Sequence, residues 1–196
     1  MHIFPDSNWQ SDTAIFLGTV SVSWDNQLLA RAPWQDIDIK GEVTEISRQP
    51  AAAQNQWHLT WVPQASSLHR MAFDVQEYFN TAEIARAIPG ENLSWSLIEI
   101  PAGRILPWHR DYYNTHVRQR GLSEHEALSV QRAIVCLRPW TFGQIVQIGC
   151  EMLHHWRAGD VFTWPHAAFH GAANFGPNPM TFLQITYDNL PTATSP

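Results

Sequence analysis

The sequence predicts a mainly β protein of two packed sheets with a few flanking helices, on three observations. Short runs rich in Val, Ile, Thr, Phe and Trp recur along most of the 196 residues, bounded by Gly, Pro, Asn or Asp. Between Leu68 and Ile88 the apolar residues change to a helical period. The composition, 44% hydrophobic and 15% charged, is that of a globular chain with a real core, and the length suits a single domain over 1–196.

Residues 1–12 are polar and read as loosely ordered, and Ala14 to Trp24 reads as a strand closed by a turn at Asp25-Asn26. Gln27 to Ala32, Ile37 to Ile46 and Gln56 to Val62 read as further short strands, separated by Pro33 and by a loop from Gln49 to Asn55. Met71, Val75, Tyr78, Phe79, Ile84 and Ile88 then fall near helical spacing, with Thr81 as the N-cap of a second helix and Pro89-Gly90 ending it. Leu93 to Pro101 is strand-like, Ala102-Gly103-Arg104 is a turn, and Ile105 to Trp108 leads back.

Tyr112 to Gly121 is polar and rich in arginine, and Ser123 with Glu126 fits a capping box for a short helix, so this segment reads as an insertion or lid. Strands resume at Arg132 to Leu137, Gly143 to Gly149 and Glu151 to Trp156. Arg157-Ala158-Gly159-Asp160 turns tightly into Val161 to Trp164, and Phe182 to Tyr187 closes the set. There is no internal repeat, and only the tail from Pro191 to Pro196 is of low complexity.

Composition excludes several classes. No apolar run approaches the roughly 18 residues of a membrane helix, and the first residues lack the basic start and apolar stretch of a signal peptide, so a cytoplasmic setting is expected. The net charge of −6, with Lys40 the single lysine, offers no basic field for nucleic acid. Cys136 and Cys150 lack zinc-site spacing and read as reduced residues. Ten tryptophans point first to core packing and second to aromatic walls around a ligand. Neither G-x-S-x-G nor G-x-x-x-x-G-K is present.

The chemistry centres on His109-Arg110-Asp111. Alternate residues of an extended chain share a face, so imidazole and carboxylate point the same way. A second histidine would complete the two-histidine, one-carboxylate face that holds ferrous iron with positions left open. His154, His155, His166 and His170 compete for that place. His170 is favoured because its neighbours in His170-Gly171-Ala172-Ala173-Asn174 are small and let the backbone close on a metal, whereas His166 directly follows Pro165.

The order of H-x-D, a Gly-Asp turn before a late strand, and a distal histidine resembles the Fe(II)- and 2-oxoglutarate-dependent oxygenases, and the resemblance covers about residues 93–187. It implies a double-stranded β-helix, a jelly-roll or cupin-like barrel, over 93–187, with the 68–88 helices bracing one sheet. It also implies Fe(II) held by His109, Asp111 and His170, with 2-oxoglutarate as cosubstrate and O2 as co-reactant. Most families place an Arg or Lys about ten residues beyond the distal histidine to bind the far carboxylate; this chain has Met180 there. Some members, the jumonji-type hydroxylases among them, carry that cation on the strand after the H-x-D instead. By that likeness Arg132 is the expected anchor and Arg138, on the same strand face, the reserve, with Thr181, Gln144 and Tyr112 as secondary donors.

The prolyl and aspartyl/asparaginyl hydroxylases are the branches most resembled, which implies hydroxylation of an amino-acid, peptide or other small substrate. The competing expectation is a cupin-like or jelly-roll protein that binds a metal or a carbohydrate without oxygenase turnover.

Overall fold

The computed structural model describes residues 12–22, 26–38, 68–166 and 168–189. Eleven strands run through them: β1 (Ile15–Thr19), β2 (Gln35–Asp38), β3 (Leu68–Phe73), β4 (Glu91–Ile100), β5 (Arg104–His109), β6 (Val130–Cys136), β7 (Gln144–Ile148), β8 (Glu151–Leu153), β9 (Asp160–Trp164), β10 (His170–Asn174) and β11 (Met180–Asp188). They form two antiparallel sheets, one ordered β1-β9-β6-β11-β4-β3-β2 and the other β5-β10-β7-β8.

From β4 onward the chain builds a barrel. Strands β4, β6, β9 and β11 fall in the large sheet and β5, β7, β8 and β10 in the small one, in the interleaved orders β9-β6-β11-β4 and β5-β10-β7-β8. This is the eight-stranded jelly roll, or double-stranded β-helix, that the sequence predicted. β1 joins one edge of its large sheet and β3 with β2 the other.

Alternation along the strands separates two cores. Ile98, Ile100, Ile134, Cys136, Met180 and Phe182 point between the sheets, where Val146, Ile148 and Trp156 meet them. Leu97, Ala133, Val135, Leu183, Ile185 and Tyr187 point outward and are covered by Leu29, Val75, Ile84 and Ile88. Every residue of β11 is buried, as expected of a central strand covered on both faces.

The sandwiched face changes character along its length. Cross-strand partners Ile100 and Met180, then Ile98, Phe182 and Cys136, fill one end with hydrocarbon. At the other end Ser94, Thr186, Arg132 and Trp164 stand in one row across β4, β11, β6 and β9. The polar end of the barrel is the end that holds the site.

Two elements differ from the sequence reading. Residues 26–31 form an α-helix rather than the strand read over Gln27 to Ala32. Gln, Leu, Ala and Arg are good helix formers, and Leu29 and Ala32, three apart, share the buried face. Leu68–Phe73 is strand β3 rather than the start of a helix. Its pairing with β4, where Met71 meets Ile98 and Arg70 lies 3.2 Å from Glu99, outweighs the helical spacing of Met71 and Val75, which instead pack into different cores.

The predicted second helix does form over Thr81–Arg86, with Asn80 rather than Thr81 at the N-cap position and no side-chain capping bond. The Ser123–Glu126 capping box is present. The remaining part of the Ile37 to Ile46 strand, the Gln56 to Val62 strand, Lys40 and the Pro191 to Pro196 tail lie outside the described residues. Cys136 is buried and Cys150 is exposed, and no disulfide joins them.

Candidate metal centre

β5 ends at His109 and β10 begins at His170, and the two residues are direct partners in the antiparallel ladder. Their rings therefore meet, with centroids 4.3 Å apart. Asp111 follows in extended continuation of β5 and points the same way, while Arg110 between them turns aside to stack over Phe169 at 4.1 Å. His109 Nε2 lies 3.6 Å from Asp111 Oδ1, and His170 Nε2 lies 3.4 Å from Asp111 Oδ2.

The histidine tautomer is set by geometry. His170 Nδ1 lies 2.9 Å from the carbonyl of Ala168, which can only accept, so Nδ1 carries a proton and Nε2 is the nitrogen left to face Asp111, as a donor to the carboxylate or, once its proton is released, as a donor atom for a metal. Trp164 packs against the His170 ring with centroids 4.9 Å apart. Burial alone would raise the Asp111 carboxyl; the Arg132 guanidinium, with a hydrogen bond and charge from His170 and the charge of His109, outweighs it and holds the group well below the usual carboxylate range.

The donor atoms of His109, Asp111 and His170 all lie within 4.8 Å of one another. Donors about 2.1 Å from a shared ion sit roughly 3 Å apart, so the set fits one metal with small adjustment. It is the donor set of a mononuclear metal site with faces left open for a ligand.

Arg132 Nη1 lies 2.5 Å from Asp111 Oδ2, and its Nε and Nη2 each reach Thr186 Oγ1 at 3.4 Å. Beside this pair opens a cavity of about 810 Å³, lined by Ser94, Ser96, Asp111, Tyr113, Arg132 and Thr186 among others, with exposed Phe73 at its rim. Asp111 is the member of the triad that faces it. Burial, and next the Asp111 charge, raise the Tyr113 hydroxyl far above its ordinary pKa.

One cavity wall is the helix Asn114–Arg120. It is fastened by buried His116, whose Nε2 lies 2.7 Å from Asp188 Oδ1 and whose Nδ1 lies 2.9 Å from Ser94 Oγ. Burial would raise Asp188, yet hydrogen bonds from His116 and Asn92 and the charges of His116 and Arg120 lower it, so it is an ionised acceptor. In neutral His116 the proton then sits on Nε2 and the Ser94 hydroxyl donates to Nδ1.

This network escaped sequence reasoning, as did Tyr113 and Trp164. The signal that could have found it is the set of polar residues Ser94, Ser96, Gln184 and Thr186, which interrupt otherwise apolar strands on one face.

The other sequence candidates are placed as follows. Thr181 lies on β11 between inward Met180 and Phe182, so its side chain belongs to the outer face with Leu183, away from the metal donors. Arg138 follows β6 at a bend; Leu137 N donates to Thr181 O at 3.1 Å, and the Arg138 carbonyl accepts from Trp156 Nε1 at 3.1 Å. His166 is held apart from the triad, its Nδ1 donating to Val130 O at 2.8 Å. His154 and His155 are exposed and contact each other and Trp140. Gln144 bonds the backbone of Thr141 and Asn178 at the far end of the barrel, and Tyr112 is exposed.

No family model and no curated protein matches the chain. Among solved structures it is similar to the cupin domain of Schizosaccharomyces pombe Cnp3, at 12% identity and TM-score 0.35 over 49% of this chain and 56% of that one. It is also similar to a predicted oxalate decarboxylase from Thermotoga maritima, at 12% identity and TM-score 0.39 over 62% and 82% of the two chains. The DMSP lyase DddQ from Ruegeria pomeroyi gives 17% identity and TM-score 0.35 over 52% and 41%. The fold is read from the strand order above rather than from these likenesses.

Proposed function

We propose that the protein is a non-haem Fe(II)- and 2-oxoglutarate-dependent oxygenase that hydroxylates a C–H bond of an amino-acid, peptide or other small substrate. The observation that carries this reading is the His109–Asp111–His170 face at the polar end of the barrel, with the cavity opening against Asp111. Ferrous iron held there supplies chemistry in which O2 and 2-oxoglutarate are consumed, succinate and CO2 leave, and one oxygen atom enters the substrate C–H bond.

The chain's own residues bind and orient. His170 is aimed by Ala168, and Asp111 is steadied by Arg132. The apolar packing of Ile98, Cys136 and Phe182 behind them keeps water from the back of the site. The sequence made Arg132 the cosubstrate anchor and Arg138 the reserve, and this reading keeps that order. Arg132 stands beside Asp111 in the polar row, whereas Arg138 lies beyond the end of β6, toward the hydrocarbon-filled end of the barrel. The Arg132 Nε and Nη2 groups, which reach only Thr186 Oγ1 at 3.4 Å, are donors that can receive a carboxylate seated beside the metal.

The test is anaerobic titration of the protein with Fe(II) and 2-oxoglutarate, followed by uncoupled succinate formation in air. A visible charge-transfer band and succinate are expected. Arg132→Ala should need about tenfold more 2-oxoglutarate, the equivalent of about 1.4 kcal/mol. Fe(II) binding with neither band nor succinate would favour the second reading, a jelly-roll metal- or carbohydrate-binding protein, which the fully buried Met180 and its apolar neighbours support. A requirement raised by Arg138→Ala and unchanged by Arg132→Ala would move the anchor to Arg138.

A further inference from the structure

Two buried hydrogen-bond donors beside the triad are left without a well-aligned partner. Tyr113 is 7% exposed and Trp164 is 3% exposed; the indole lies near enough to the phenol to act on its pKa, yet among the described residues neither the phenol oxygen nor the indole nitrogen makes a hydrogen bond of good geometry. Native proteins satisfy nearly all such groups, so an orphan at a cavity wall calls for a ligand or water. Trp34, Trp140 and Trp156 each donate to a backbone carbonyl, at 2.6, 2.7 and 3.1 Å.

Both side chains are held in place. The Arg132 guanidinium lies over the Tyr113 ring at 5.2 Å and His166 meets it edge-on at 5.6 Å. Tyr113 also keeps a left-handed backbone, φ 53°, which a non-glycine residue adopts only where the surroundings enforce it. Trp164 is clamped between its strand and the His170 ring. Tyr113 lines the same cavity as Asp111, and the Trp164 indole, packed on His170, approaches the Tyr113 hydroxyl.

We propose that the Tyr113 hydroxyl, with the Trp164 indole N–H as second donor, forms a subsite for the acceptor atom of a small anionic or carbonyl ligand seated on the open face of the metal. This rests on the metal reading of His109, Asp111 and His170, and not on the choice of cosubstrate. The arrangement gives the site a preference for ligands that carry an acceptor next to their metal-binding atom. An amine or a thioether would leave the hydroxyl unpaired.

The experiment uses the full chain loaded with Co(II), with azide as the probe and the visible Co(II) absorption as the readout. Tyr113→Phe keeps the ring against Arg132 and His166 and removes only the oxygen. The Co(II) affinity should stay at the parental value while azide binds about tenfold more weakly. The metal-free melting temperature should hold or rise by a few degrees, since a buried unpaired hydroxyl has been removed.

Trp164→Phe should weaken azide in the same direction. Azide binding at parental strength in Tyr113→Phe, or no azide binding by the parent, overturns the subsite while leaving the metal centre standing. A metal-free melting temperature that falls sharply in Tyr113→Phe would show that the hydroxyl bonds within the protein, and overturns it too. Failure of the parent to bind Co(II) removes the metal reading itself.

Discussion

Arg132 and Asp111 meet at 2.5 Å between Nη1 and Oδ2, so the carboxylate the metal needs already has a countercharge without it. The guanidinium and a divalent ion therefore do partly the same electrostatic work. This redundancy decides how a variant at Arg132 behaves.

Arg132→Ala should destabilise the metal-free protein by about 2 kcal/mol, because it leaves a largely buried carboxylate unpaired. The loss should shrink when metal is added, since the ion replaces the missing charge. Thermal unfolding of both proteins, with and without Co(II), checks this. Equal losses in the two states would mean that Arg132 acts through packing or Thr186 rather than through Asp111.

Alanine at His109, Asp111 or His170 should lower metal affinity by about a hundredfold or more, above the usual cost of losing only an orienting group. His166→Ala should keep full metal stoichiometry and cost about 1 kcal/mol of stability through the lost bond to Val130. Metal content after dialysis, with calorimetric titration, reads both effects. Loss of metal in His166→Ala with retention in His170→Ala would reassign the third donor.

Gly159 is where the turn before β9 passes under Val20: φ is +88°, and a Cβ there would lie 2.1 Å from the Val20 carbonyl oxygen. Gly159→Ala should cost about 2–4 kcal/mol, combining left-handed strain with a backbone clash. It should also loosen β1 from β9, because Val20 N bonds Gly159 O at 2.9 Å and Thr19 bonds Asp160 at 2.7 Å. Urea unfolding should show a lower midpoint, and hydrogen exchange should rise over Ile15–Thr19. An unchanged midpoint would contradict the packing described.

His69 is 2% exposed, and burial lowers its pKa from 6.5 to about 4. A depressed folded-state pKa means that the unfolded chain takes the proton first. The contribution is therefore complete above pH 6.5 and lost as pH falls toward 4, by about 3 kcal/mol in all. His69→Gln should flatten the stability profile in that window. The lowered Asp111 and Asp188 act at more acid pH and should leave their own limb in place. A parental slope in the variant would mean that another group titrates there.

The site was legible where chemistry and alternation coincide. His109 and Asp111 are two apart on an extended chain, and the small residues after His170 mark a strand that pairs closely with β5. Strands β6, β7 and β9 were legible as short runs of β-branched, apolar and aromatic residues bounded by turns. Leu68–Phe73 was not, because partnership with β4 decides its state and a partner leaves no mark on spacing. Residues 26–31 were too short a run for periodicity to separate helix from strand.

The cross-strand row of Arg132 with Thr186 and Ser94 and the chain of contacts from Ser94 through His116 to Asp188 join positions far apart in sequence. Such relations come from cross-strand register, which no single segment encodes.

Tyr113, the residue that starts the helix Asn114–Arg120, lies two positions beyond Asp111, and His116 bolts that helix to Asp188 at the end of β11. The cavity wall and a metal donor are thus two loads on one short lever. A molecule that presses on the wall must shift the balance of positions open to Asp111, and an ion that grips Asp111 must bias the wall. By linkage the two effects are equal in free energy, so occupancy of the cavity should slow metal release by the same factor by which metal tightens the occupant, if entry rates are unchanged.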